Sequence, residues 1–525
     1  MRRTERAAAA LLVSLGLGAA ALPAGAQTLR LAVAAPATSF DPHYHTLTPN
    51  AALADHVFEA LVERTPDSRP VPGLAESWKA IDDLTWELKL RRGVKWHNGE
   101  AFTAEDVVNT LSRVPKVANS PGSYAVYTRG ITRIEVIDPH TLRLHTDKVH
   151  PLLPTDLTQV AVIWRGLGDE VATADFNGGR AAMGTGPYRL ERYDHGSRAM
   201  LVRNEAYWGE KQPWERVDYR MIPSNGARVA ALRAGDVDLI DSVPTQDVEG
   251  LAKESGIHIS RADSLRSILM RYDMREQTPY VAGPNGEKLD KNPFLDRRVR
   301  EALSIAINRK GIAERVMSGA ANPTGQMMPA GTFGYAPDVP APAYDPARAR
   351  QLLAEAGYPN GLQITLLAPN NRYVNDAVIA QTIGQMWARI GVKPVVDTMP
   401  ASVFFTRTAQ QDNSIALSGW SNTTGEPSAG MRGHFATRDR AKGWGAVNHT
   451  LYSNKAFDAL LTQALETVDD EKREAMFQRM AKMIADDFAY IPLHHQVNLW
   501  AMRDTLAHTP RADEMTRAMD VKPRG

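Results

Sequence analysis

Apolar and polar residues alternate at Leu29-Arg30-Leu31-Ala32-Val33 and at Trp86-Glu87-Leu88-Lys89-Leu90. They alternate again in the pair Ile134-Glu135-Val136 and Leu142-Arg143-Leu144, which Asp138-Pro139-His140 joins. A period of two predicts half-buried strands, and the last two read as a hairpin. The same alternation in Ser414-Ile415-Ala416-Leu417-Ser418 leads to Gly419 and Trp420, so the indole is predicted at a strand's end. Helices are signalled by their ends. Thr103 precedes Glu105 and Asp106, a hydroxyl cap followed by acids where the helix dipole is positive. Asp345-Pro346 opens a helix that Gly357 closes. Further helical patterns run over 296–310, 375–390, 454–468 and 471–484. Strands and helices are interspersed throughout, which predicts mixed α/β lobes.

The first 26 residues are of another kind. Arg2, Arg3 and Arg6 precede an apolar run from Ala7 to Leu22, and Ala24-Gly25-Ala26 follows. This order predicts an export signal, cut after Ala26. No other stretch approaches the roughly 18 to 20 apolar residues of a membrane helix. Cysteine is absent, which excludes thiol nucleophiles, thiolate metal sites, disulfides and a lipid-anchor cysteine. A periplasmic protein without a lipid anchor is expected. Setting aside the leader's three arginines and one glutamate from 61 basic and 60 acidic side chains leaves a net charge of −1. That balance gives no reason to expect nucleic acid as a partner. So long a chain exceeds one core, so at least two lobes are expected.

Catalytic signatures are missing: there is no GxxxxGK[ST], HExxH, GxSxG or SxxK. The chain is expected not to be an enzyme, and an exported hydrolase is the weakest alternative. His43, His45, His434 and His449 keep open a receptor for a metal chelate or haem, but no cofactor and no bound metal are expected, since a metal site needs three or four convergent donors.

Three stretches follow one another: Leu74-Ala75-Glu76-Ser77-Trp78, Leu90-Arg91-Arg92-Gly93-Val94-Lys95-Trp96-His97-Asn98-Gly99, and Phe102-Thr103-Ala104-Glu105-Asp106-Val107. Gly184-Thr185-Gly186-Pro187-Tyr188, Arg203-Asn204-Glu205-Ala206-Tyr207-Trp208, the segment from Asp296 to Leu303 and Ala356-Gly357-Tyr358 come after them. This collinear set resembles the signature of the family 5 solute-binding proteins of ABC transporters, the peptide, glutathione, nickel and haem group. The resemblance implies a two-lobed periplasmic-binding-protein fold of α/β class, with an extra subdomain inserted at about 50–180. Lobe one is expected over 27–266 plus 500–525 and lobe two over 267–499. A monomer is expected that captures a small peptide-like ligand between its lobes and delivers it to an ABC permease in the inner membrane.

The resemblance also gives meaning to Trp420. In the peptide-binding relatives an aspartate three residues after this tryptophan pairs with the peptide's free α-ammonium; here Thr423 stands there. Threonine carries no charge, and a desolvated ammonium left alone costs about 3–5 kcal/mol. The string Trp420-Ser421-Asn422-Thr423-Thr424-Gly425-Glu426 is more similar to the glutathione-binding branch. A donor-rich, low-charge lining from Trp420, Ser421, Asn422, Thr423 and Thr424 is therefore expected, suited to glutathione or to a modified or blocked peptide. Tyr44, His45, Tyr124 and Tyr127 are further candidates for the cleft wall. Arg407, Arg432, Arg438 and Arg440 surround the tryptophan segment, and any of them could meet a ligand carboxylate.

Overall fold

The computed structural model describes residues 28–439 and 442–524. The expected export signal and Arg440 lie outside the described residues. Two long antiparallel strands organise the molecule: Ile257–Tyr272, of 16 residues, and Ile491–Arg503, of 13. They pair from Ile257 opposite Arg503 to Met270 opposite Ile491, with register breaks between Asp263 and Ser267 and between Ile268 and Leu269. On one side the sheet continues through Leu239–Ile240, Thr28–Val33, Arg216–Met221, Arg198–Arg203 and Tyr188–Asp194. On the other it continues through Ile415–Ser421, Gln363–Pro369 and Val281–Ala282.

Each half buries its own core. Leu31, Val217, Tyr219 and Met502 belong to one apolar cluster, and Met270, Leu366, Trp387 and Leu417 to another. The two long strands give residues to both, because a register break lets a strand re-aim its side chains without ending. A separate antiparallel sheet of Ala75–Asp82, Thr85–Leu90, Thr141–Thr146 and Ile131–Asp138 carries a third core. Trp96 is buried in it, and Trp78 and Trp86 pack against it.

The helix ends lie where their residues place them. Thr103 N–H donates to the Asp106 carboxylate (2.8 Å) at the start of Ala104–Arg113. Asp345 accepts from Arg348 N–H (2.8 Å) before Pro346–Glu355, and Gly357 follows at φ +96°. The pattern over 296–310 divides: Arg297–Ile305 is helical, and a second short helix begins at Arg309, where Asn308 accepts from Gly311 N–H (2.8 Å). An asparagine that caps the next turn stops the previous one. Ile415–Ser421 also departs from simple alternation. Its first four residues are all buried, because Ile415 and Leu417 enter one core while Ala416 meets Phe404 and Ser418 meets Arg271.

Gly184 and Gly186 lie against the backbone of Val57. A Cβ at Gly184 would come within 1.7 Å of the Val57 carbonyl oxygen. His97 fixes the same turn, its N–H donating to the Gly184 carbonyl (2.9 Å) and its ring to Gly186 (3.0 Å). Gly184→Ala is expected to destabilise by about 1–3 kcal/mol through forced backbone displacement, read as a lower urea midpoint at unchanged slope.

Candidate functional site

Trp420 sits next to the register break. It pairs with Ser267, and Ser421 pairs with Arg266, after which the chain leaves the sheet. Leu265, inside the break, donates to the Ala512 carbonyl (3.0 Å), and its own carbonyl accepts from Asn422 N–H (3.1 Å). The half-buried indole stands edge-on to His434 (4.7 Å between centroids) and donates to Asn422 Oδ1 (2.9 Å). Asn422 is fully committed, since its amide also donates to the Met327 carbonyl (3.3 Å). The turn closes at Gly425, whose φ of +74° and close approach to the Ser68 carbonyl leave no room for a side chain. Buried Glu426 is satisfied by Ser428, through N–H (2.7 Å) and hydroxyl (2.5 Å), while burial pushes its carboxyl up.

Behind Trp420 lies Arg271, only 9 % exposed. It donates to the Val447 carbonyl (2.8 Å), to His434 Nδ1 (3.3 Å) and to the Ser418 hydroxyl (3.3 Å). Burial pulls its guanidinium down to about 10, and burial together with Arg271 holds His434 well below the usual imidazole range. The indole therefore rests on a neutral imidazole.

The opposite half of the molecule supplies the facing wall. Arg64 Nη1 donates to the Thr423 carbonyl (3.0 Å), and Nη2 reaches Met515 Sδ (3.8 Å). Tyr124 and Tyr127 form a tilted pair (6.0 Å). Burial pushes the Tyr127 phenol up, and a hydrogen bond with the Thr423 side chain pulls it the other way. Thr46, Thr48, Tyr124, Tyr127, Thr423 and Met515 line a cavity between these walls. A second cavity adjoins it, sharing Ala51, Arg64, Tyr124 and Gln159, and is lined further in by Pro42, Asp55, Glu63, Arg511 and Arg517.

Of the residues singled out in the sequence, Tyr124, Tyr127 and Thr423 meet at this cavity. Trp420, Asn422 and Thr424 stand behind it: Thr424 is buried with its hydroxyl toward Glu426 (3.4 Å), and Ser421 is the half-buried last residue of its strand. Tyr44 and His45 do not line either cavity. The Tyr44 carbonyl accepts from Ser120 (2.6 Å), and His45 packs against Gly122; Pro42 and Thr46–Thr48 take the wall instead. Arg407 is held by Asp397 (2.5 Å) and Asp412 (2.6 Å). The expected low-charge lining describes only one wall. The other carries Asp55, Glu63, Arg64, Arg511 and Arg517, because two distant segments, 55–64 and 511–517, converge there. None of these five belongs to a motif; adjacent Glu63 and Arg64 after the apolar pair Leu61-Val62 are the only local hint.

Within this wall Arg511 grips Asp513 through Nε (2.9 Å) and Nη2 (2.7 Å), and Arg517 binds Asp520 (2.9 Å). Desolvation pushes the Asp513 carboxyl up, but Arg511 outweighs it and holds it at about 2. Asp55 and Glu63 are pushed up, first by desolvation. Among the described residues no three His, Asp or Glu side chains converge as a metal site. Both nitrogens of His43 are occupied, by Arg113 (2.9 Å) and the Ala161 carbonyl (2.7 Å).

Two α/β halves facing each other across a cavity and joined by long shared strands define the two-lobed fold of periplasmic binding proteins. HbpA2 from Haemophilus parasuis superposes with a TM-score of 0.81 at 23 % identity, over 95 % of this chain and 100 % of that one. The periplasmic binding protein DppA from Helicobacter pylori, in complex with the peptide STSA, superposes at 0.75 with 23 % identity, over 94 % and 98 %. By sequence, the glutathione-binding protein GsiB of Escherichia coli (strain K12) is 29 % identical over 94 % of this chain and 96 % of its own length. The model for bacterial extracellular solute-binding proteins, family 5 Middle, matches residues 69–442, and the chain belongs to that family.

Proposed function

We propose that this chain is the periplasmic component of an ABC importer that captures a small peptide-like solute, glutathione or a modified or blocked peptide, and delivers it to an inner-membrane permease. The observation that carries the reading is the cavity where Thr423 of one half meets Arg64, Tyr124 and Tyr127 of the other. The Thr423 hydroxyl on one wall and a guanidinium and two phenols on the other suit amides and carboxylates. The likeness to a glutathione-binding protein across nearly the whole chain supports the same class. In this reading the leader is removed after Ala26, the lobes divide near 266/267 and 499/500, and ligand favours the closed form by its differential affinity for it.

A thermal-shift panel tests the assignment. Glutathione or a blocked peptide at a hundred times its dissociation constant is expected to add about 2.7 kcal/mol of stability. Strong shifts with ordinary free dipeptides and none with glutathione or blocked peptides would refute it.

A further inference from the structure

The deeper cavity holds charges that the protein leaves without full partners. Arg511 and Arg517 are taken by Asp513 and Asp520. That leaves three groups. Among the described residues Asp55 has one long contact, from Arg517 at 3.4 Å. The Glu63 carboxylate accepts, among the described residues, only from the Ala60 N–H (3.0 Å). Arg64 donates to a carbonyl and a thioether, and no carboxylate pairs with it among the described residues. Tyr124, only 4 % exposed, lines both cavities. A pocket presenting two half-buried carboxylates, one guanidinium and a phenol is matched by a ligand end that carries one positive and one negative charge close together.

Resting on the peptide-like reading above, we infer that Asp55, Glu63 and Arg64 form a subsite for a free α-amino-acid end, ammonium and carboxylate on one carbon, as γ-glutamyl peptides present it. The ammonium meets Asp55 and Glu63, the carboxylate meets Arg64, and the Tyr124 hydroxyl donates to that carboxylate. Ammonium recognition is thereby moved from the position of Thr423, which has no charge, to the facing wall. An α-linked peptide offers an ammonium but places its carboxylate at the far end, so it satisfies only half of the set.

Calorimetric titration with two isomers, γ-glutamylglycine and α-glutamylglycine, together with N-acetyl-γ-glutamylglycine, tests this. The γ isomer is expected to bind roughly 100-fold more tightly than the other two, the scale of one unmatched desolvated charge. Asp55→Asn with Glu63→Gln is expected to keep the fold, since both amides preserve shape, and to abolish the penalty for acetylation. Arg64→Gln is expected to weaken the γ isomer about tenfold or more while leaving the melting curve in place. Equal binding of the acetylated compound, or a preference for the α isomer, would overturn the subsite while leaving a peptide receptor standing. If none of the three binds, and neither glutathione nor a blocked peptide shifts the melt, the peptide-like reading falls and the subsite with it.

Discussion

Brought from pH 7 to pH 4, the protein is expected to lose on the order of 10 kcal/mol of stability and to unfold, because four buried histidines are neutral in the folded state. Their partners enforce this. Arg113 donates to His43 Nδ1, so the proton sits on Nε2 facing the Ala161 carbonyl. His56 accepts from Ala518 N–H (2.9 Å) on Nε2 and donates from Nδ1 to the Ala52 carbonyl (2.9 Å). Burial pushes His43, His56 and His495 down to about 4 and His494 to about 3. The unfolded imidazole titrates at about 6.5. Below that value the unfolded chain takes up protons first, so stability is fully present above pH 6.5 and is lost as pH falls towards 4. Each ring accounts for about 3 kcal/mol, and four together rival a typical domain's whole stability. Asp55 and Glu63, pushed up by desolvation, work in the opposite sense and offset part of the loss. Asp513, held at about 2, adds its own loss, on the order of 2 kcal/mol, only below about pH 4. Urea midpoints followed by tryptophan fluorescence from pH 7 to 4.5 check the prediction, and an unchanged midpoint would refute it.

The second large effect is expected at Asp41. Its carboxylate binds Arg113 through Nη1 (3.0 Å) and Nη2 (2.6 Å) and accepts from Thr173 (2.6 Å). Arg113 is 2 % exposed, so Asp41→Ala strands a guanidinium among a carbonyl and a neutral ring. The loss should be about 3–5 kcal/mol. Replacing both partners by apolar residues, Asp41→Leu with Arg113→Met, should cost less than the single change, because no buried charge remains. Chemical denaturation of the three proteins decides it; a double variant worse than Asp41→Ala would contradict the account. Since Pro42 and Thr46 follow in the cavity wall, Asp41→Ala should also weaken ligand binding.

Long amphipathic patterns and end signals made most elements legible from the sequence. The strand ending after Trp420, the capped helix at Thr103 and the proline-led helix at Asp345 are local matters, settled by residues a few positions apart. The break at Asn308 was hidden because its capping side chain lies inside an otherwise helical pattern. Tyr124, Tyr127 and Thr423 were readable as wall residues through the family pattern. Arg64, Asp55, Glu63 and the Arg511–Arg517 segment were not, since isolated charges beside ordinary strands and loops look like solvated surface. Only tertiary contact between positions more than 440 residues apart, such as Arg64 and Met515, turns them inward.

That wide separation has a consequence for how the binding surface comes into being. Pro42 and Arg517 border the same cavity, so its lining is finished only when the distant segment that carries Arg511 and Arg517 has docked. Until that segment is in place the recess lacks Arg511 and Arg517, so solute capture depends on contacts made between the most widely separated parts of the fold.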